Sequence, residues 1–120
     1  NRPLIVVFQP HLFSRTRLLL EEFAGSFHQA DRVFIAHIYA AREEPDPTVD
    51  GALLAERIAA REPGKPVEYM ANHAELVERL RGLVRPGDAV LTMGAGDIRE
   101  VGVALVQLLG AEKAVGAANG

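Results

Sequence analysis

The amino-acid sequence predicts an α/β fold, a three-layer sandwich in which a parallel sheet of about four strands carries helices on both faces. Two observations lead there. Strand-like runs alternate with helical patterns in the order β-α-β-α-β-α-β-α, and such alternation gives a parallel sheet with right-handed crossovers. Two of the runs, Leu4–Phe8 and Val33–Ala36, are apolar without interruption, as strands covered on both faces should be. The expected strand order is 3-2-1-4. That order sets the first and fourth strands side by side, with the topological switch point between them.

Each element has its own local reason. Leu4–Phe8 is the first strand. A helix over about Ser14–Ala30 follows, with Leu19, Leu20, Phe23, Phe27 and Ala30 recurring at helical spacing as its buried stripe. Asp31-Arg32 closes it, and Val33–Ala36 is the second strand. Tyr39–Thr48 holds two prolines and four charges and reads as an exposed loop. Asp50 is placed to N-cap a helix that runs to Arg61, with Leu53, Leu54, Ile58 and Ala59 inward. Glu62–Pro66 ends that helix, and Val67–Met70 is a short third strand. Asn72-His73-Ala74-Glu75 has the form of a capping box and opens a helix to about Val84. After the turn Arg85–Asp88 comes the fourth strand, Ala89–Met93. Gly94–Asp97 leads into a last helix, Ile98–Leu109, with Asp97 as N-cap and Gly110 as its end. Residues 1–110 are expected to form one domain, and the small, polar stretch Ala111–Gly120 is expected to fray as a flexible tail.

Composition narrows the function classes. At 120 residues the chain suffices for one domain with a real core. A net charge of −3 argues against a general nucleic-acid footprint. With no cysteine there is no disulfide framework, no thiolate metal site and no cysteine nucleophile. No apolar run approaches the ~20 residues that span a bilayer, so no membrane partner is expected. A cytoplasmic protein is expected. The chain opens Asn1-Arg2-Pro3 without an initiator Met, and is expected to be a piece of something longer.

The stretch Val7–Arg17 carries the functional signal. It is a strand-to-helix turn, and in an open α/β sheet such turns lie at the carboxyl edge of the strands, where ligands bind. A helix start offers unpaired N–H groups and partial positive charge. His11, Ser14, Arg15 and Arg17 add donors and cations to the same end, so the turn is expected to receive an anion. His11 and Arg15, four residues apart, are read as helical neighbours aimed at one spot. Arg17 reads equally well as a surface residue. Tyr39 ends the second strand at the same edge, with packing and ligand contact both open to it.

The second candidate is Gly94-Ala95-Gly96-Asp97. Glycines let a backbone approach a phosphate or carboxylate closely. A purely structural turn explains this motif as well, and Asp97 is better read as an N-cap than as a ligand. His28, His37 and His73 have no metal-ligand spacing and read as structural or exposed. No nucleophile–base–orienter set and no Gly-x-x-x-x-Gly-Lys phosphate loop are present. From its residues the chain is a surface that receives one substrate, with no catalytic residue and no metal ligand.

Phe8-Gln9-Pro10-His11-x-Phe13-Ser14-Arg15-Thr16 closely resembles a signature of the Mur ligases of peptidoglycan synthesis, in the form carried by alanine-adding members. Ile38-Tyr39-Ala40-Ala41-Arg42-Glu43 is similar to the loop after the family's next strand. Leu91–Ile98 looks like its last strand and turn. The resemblance implies a Rossmann-like C-terminal substrate-binding domain that closes over a central ATP-binding domain. It implies a ligase of cell wall biogenesis, cell shape and cell division that joins L-alanine to UDP-N-acetylmuramate through an acyl phosphate. ATP and Mg would be held mainly by the central domain, and the N-terminal and central domains of the same chain would be the partners. On the resemblance, His11, Ser14, Arg15, Thr16 and Tyr39 would bind substrate, and Gly94, Ala95, Gly96 and Asp97 would form a nucleotide- or anion-facing turn.

Two positions depart from the family pattern. Leu12 stands where many members carry Arg, and His37 stands where Asp or a small polar residue is more usual. The family's acidic and His-rich segment before the first strand is absent, as are the phosphate loop and the UDP-binding domain. The chain is therefore expected to be a late segment of the ligase, inactive alone. The alternative is a free-standing α/β module that binds a nucleotide or a small anion.

Overall fold

The structure, a computed structural model, describes residues 3–94, 98–109 and 116–119. Its strands are β1 (Leu4–Gln9), β2 (Arg32–Ile35), β3 (Val67–Tyr69), β4 (Ala89–Gly94) and β5 (Gly116–Asn119). Its helices are α1 (Phe13–Leu18), α2 (Leu20–Ala24), α3 (Gly51–Arg61), α4 (His73–Leu83) and α5 (Arg99–Leu109). The sheet is parallel, in the order β3-β2-β1-β4-β5. The expected 3-2-1-4 arrangement is there, with β1 as its central strand.

The pleat of β1 divides the core. Ile5 and Val7 point to one face and pack in a cluster with Leu76, Leu80, Val101 and Leu105 of α4 and α5. Val6 points to the other, among Leu54, Ala55 and Ile58 of α3, with Leu4 and Phe8 beside it. β2 and the residue after it repeat the pattern, Phe34 and Ala36 on the first face, Val33 and Ile35 on the second. This is why these strands show no polar alternation: both faces are covered. Phe8 holds the α2 side, its ring centroid 5.5 Å from those of both Phe23 and Phe27 in tilted contact.

Two helix starts follow the sequence reading. Asp50 Oδ1 accepts the Leu53 N–H at 2.8 Å, and Asn72 Oδ1 accepts the Glu75 N–H at 3.0 Å. Gly51 has a separate reason to be glycine. A Cβ there would lie 2.6 Å from the Ala36 carbonyl oxygen and 2.4 Å from the Tyr69 ring, so α3 can approach the sheet only without one.

Two expectations are corrected. The single helix over Ser14–Ala30 is two short ones. Leu19, at φ −107° and ψ 21°, breaks the helical path between α1 and α2. α2 stops at Ala24, where Gly25 follows and the Ser26 hydroxyl donates to the Glu22 carbonyl at 2.6 Å. Phe27 and Ala30 still enter the core, from the turn rather than from a helix. The second correction concerns the stretch expected to fray: Gly116–Asn119 pairs in parallel with Ala89–Thr92 as β5. Without it the outer edge of β4 would present a row of open backbone groups, and residues with little side chain can satisfy that row through backbone alone. The expected stop at Gly110 lies outside the described residues.

Substituting Gly51 by Ala tests the close α3 contact. Helix propensity alone would favour Ala by about 1 kcal/mol. Overlap with a backbone oxygen should outweigh that and leave a net loss of roughly 1–3 kcal/mol. Asp50→Ala, which removes only a cap, should cost about 1 kcal/mol. Chemical denaturation should rank Gly51→Ala below Asp50→Ala, and a Gly51→Ala variant as stable as the parent would refute the close contact.

Candidate functional site

The carboxyl edge of the sheet is extended past its strands. Beyond β1 and β2 the backbone pairs once more at His11 and Tyr39, a parallel bridge. Tyr39 N–H donates to the Pro10 carbonyl and Leu12 N–H to the Tyr39 carbonyl, each at 2.8 Å. The rings of His11 and Tyr39 stack with centroids 5.8 Å apart. Leu12 then turns the chain into α1 through a left-handed conformation, φ +70°, a strained geometry for a leucine.

This corrects the helical-neighbour reading of His11 and Arg15. His11 lies outside α1, in extended backbone, and Leu12 interrupts the helical path between them. Tyr39 aligns the imidazole, while α1 carries Arg15. Arg15 is exposed, and no described residue forms an ion pair with it. Arg17 pairs with Asp46, Nε to Oδ2 at 3.1 Å, and remains 63% exposed.

The start of α1 is occupied. No side chain of its own N-cap position bonds to it. Instead Glu43, from the loop after β2, accepts the Phe13 N–H at 2.6 Å and the Ser14 N–H at 3.2 Å. The Ser14 hydroxyl donates to the other Glu43 oxygen. The N–H groups expected to receive an external anion therefore already hold an internal carboxylate. Of the two arginines of α1, Arg15 is the one without an ion-pair partner among the described residues. Thr16, also expected on the substrate side, is fully buried, and its hydroxyl donates to the Leu12 carbonyl at 2.8 Å. Ser14 and Thr16 thus build the turn.

The loop that supplies Glu43 is itself ordered. Ala41 takes φ +54° and Glu43 N–H closes a turn on the Ala40 carbonyl. Asp46 Oδ1 accepts the Thr48 N–H at 2.9 Å and its hydroxyl at 2.6 Å. Both carboxyls are held below the ordinary range. For Glu43 the Ser14 hydroxyl is the largest cause, with the Ser14 and Phe13 N–H groups and the charge of His11 adding to it. For Asp46 the Thr48 hydroxyl leads, with Arg17 adding. Carboxyls lowered on folding stabilise their contacts above their unfolded pKa and lose that contribution as pH falls through the folded value. Both straps are thus intact at neutral pH.

Beside this turn Gln9 is fully buried at the end of β1. Its Nε2 donates to His37 Nε2 and to the His37 carbonyl, both at 3.2 Å. His37 Nδ1 faces the Ala71 carbonyl at 3.0 Å, which assigns the proton to Nδ1 and leaves Nε2 to accept from Gln9. The His73 ring lies 5.2 Å from that of His37. His37 and His73, read from the sequence as structural or exposed, are therefore ring neighbours behind the turn, whereas His28 is exposed.

Gln9 pairs in register with Gly94, so the ends of β1 and β4 lie side by side as expected. Gly94 has φ +128°, and a Cβ there would sit 2.3 Å from the Gln9 carbonyl oxygen. Strand packing alone therefore requires glycine at this position. Ala95, Gly96 and Asp97 lie outside the described residues. Among the described residues no group of three or more His, Cys, Asp or Glu could hold a metal ion, and no helix is long and apolar enough to cross a membrane.

Sequence reasoning missed Glu43, Asp46 and Gln9 as parts of the site. One signal for Glu43 was available: a helix whose N-cap position is Leu12 needs an acceptor from elsewhere for its first N–H groups.

Comparison with known proteins places this geometry. The family model described as Mur ligase, glutamate ligase domain, matches residues 1–96. The chain is 47% identical over 107 residues to a UDP-N-acetylmuramate–L-alanine ligase of Thermobifida fusca, covering 89% of this chain and 22% of that protein. Its counterpart in Saccharopolyspora erythraea is 48% identical over 99 residues, 82% of this chain and 20% of that one. That of Syntrophotalea carbinolica is 44% identical over 109 residues, 91% and 24%. The chain thus spans between a fifth and a quarter of the length of these curated relatives. With a family model matched over most of its length and the turn, loop and strand order in place, the chain belongs to the Mur ligase family.

Proposed function

We propose that the chain is the C-terminal substrate-binding domain of an ATP-dependent ligase that joins L-alanine to UDP-N-acetylmuramate in peptidoglycan synthesis. The observation that carries this reading is the 44–48% identity, over most of the chain, to relatives named for that reaction. The geometry supports it. An exposed guanidinium with no described ion-pair partner is carried by α1, and an imidazole stacked on a tyrosine lies at the carboxyl edge of the sheet just before that helix. The N-terminal and central domains of the ligase complete the site in the cytoplasm.

In this reading ATP and magnesium supply the activation of the muramyl carboxylate, and the rest of the ligase holds them. The described residues do not fit either group: they offer no metal-binding cluster, and the chain has no phosphate loop. This domain instead receives the amino acid. Arg15 grips its carboxylate through two parallel N–H donors, a fork that lysine cannot copy. His11, held against Tyr39, presents its ring to the same edge. Ser14 and Thr16 fix the turn from which Arg15 projects. On the family resemblance, the turn from Gly94 to Asp97 is assigned to the nucleotide- or anion-facing side of the site.

Kinetics of the full-length ligase test the assignment. Arg15→Ala should lower kcat/KM for L-alanine on the order of 30- to 1000-fold, the loss of one charge-assisted contact in a closed site. Arg15→Lys should recover part of it. Arg17→Ala, which breaks an exposed ion pair, should cost much less. Thermal melting controls for folding. Near-normal kinetics in Arg15→Ala would remove the anion-gripping role. A second measurement uses the 120 residues alone. They should neither hydrolyse ATP nor form the amide bond, and ligation by the purified chain would overturn the reading of it as one domain of the enzyme.

A further inference from the structure

Helix α1 is anchored in an unusual way. It has six residues, and of these only Thr16 is buried. Leu18, at its end, is 81% exposed. A helix this short has no stability of its own, and most helices borrow theirs from an apolar face. α1 has almost no such face. It is held by polar contacts from one loop, residues 40–48. Glu43 takes the Phe13 and Ser14 N–H groups and the Ser14 hydroxyl at one end. Asp46 takes Arg17 at the other. Arg15 lies between the two straps, and Leu12, immediately before α1, is held to Tyr39 at the root of the same loop.

We propose that Glu43 is a positioning residue for amino-acid binding, acting through Arg15. The inference rests on the role given to Arg15 under Proposed function. Both Glu43 oxygens are engaged by α1 itself. Its carboxylate is an internal anion that satisfies the first turn of α1 and joins it to the loop after β2, which sets the bearing of the Arg15 guanidinium. Asp46 assists from the other end through an exposed pair and contributes less. The lowered pKa of Glu43 keeps this carboxylate ionised throughout the neutral range.

The occupied helix start allows an opposite reading, in which Glu43 competes with the substrate carboxylate for those N–H groups. The two readings predict opposite signs. If Glu43 positions Arg15, its loss weakens amino-acid binding. If Glu43 competes, its loss strengthens it.

The experiment is a double-mutant cycle in the full-length ligase, with KM and kcat measured separately for L-alanine and for ATP. Glu43→Ala should raise KM for L-alanine about tenfold, the effect of losing a cap and its hydrogen bonds. KM for ATP should stay within about twofold and the melting temperature near that of the parent, because α1 contributes one buried residue to the core. Glu43→Gln keeps one acceptor oxygen and should recover part of the loss. Glu44→Ala, an exposed neighbour, should change nothing. In an Arg15→Ala background, Glu43→Ala should add little, because both act through one guanidinium. A KM for L-alanine that is unchanged or lowered in Glu43→Ala, or a loss that simply adds to that of Arg15→Ala, would overturn the proposal. If Glu43→Ala fails to fold, a KM for L-alanine raised by less than about tenfold in a folded Glu43→Gln still supports the proposal, and normal kinetics there overturns it. The role of Arg15 is judged apart from this by the Arg15→Ala single variant.

Discussion

A strand buried on both faces has to give its backbone groups to neighbours on both edges and its side chains to helices on both sides. β1 meets that demand. It pairs with β2 along one edge and β4 along the other, and its alternate residues enter two separate apolar clusters. Because both pairings are parallel, three strands end at one edge of the sheet. Gln9, Gly94 and the segment after Ile35 are brought together there by backbone register alone. Everything assigned to the site depends on this common end.

The electrostatics of that edge follow from how its backbone is satisfied. A helix start beside a sheet edge is a ready place for an anion, but this one is filled by Glu43. The fold thus uses the positive end of α1 for its own architecture. Arg15 and Arg17 are two residues apart and meet different fates: Asp46 takes Arg17, while no described residue pairs with Arg15. Chemical likeness in the sequence therefore did not mean equivalence in the site.

The polar network behind the turn carries a related lesson. Gln9 is fully buried at the end of an otherwise apolar strand, and its amide is spent on His37. His37 in turn reaches Ala71, just before α4. The contacts link β1, the end of β2 and the approach to α4 at the edge where the site lies. Hydrogen bonds of this kind, largely out of water, are costly to leave unmade and so favour one arrangement of the three segments.

What the sequence determined by itself was whatever local pattern controls. The uninterrupted apolar runs of β1 and β2, the 3-2-1-4 strand order, the caps at Asp50 and Asn72 and the strand-to-helix turn after β1 were all legible. Each depends on residues within a few positions of one another, or on the rule that parallel strands need crossovers. What the tertiary structure decided depends on distant neighbours. Glu43 caps a helix 30 residues before it, and nothing near Phe13 announces that partner. Leu19 breaks a helix that its spacing favours, Gly116–Asn119 joins a sheet edge through backbone alone, and His37 meets His73 across two elements. A buried carbonyl, an open edge or an uncapped N–H creates a demand that can be seen in sequence. Which residue answers it is settled only when the chain is folded, because the answer depends on register and not on spacing.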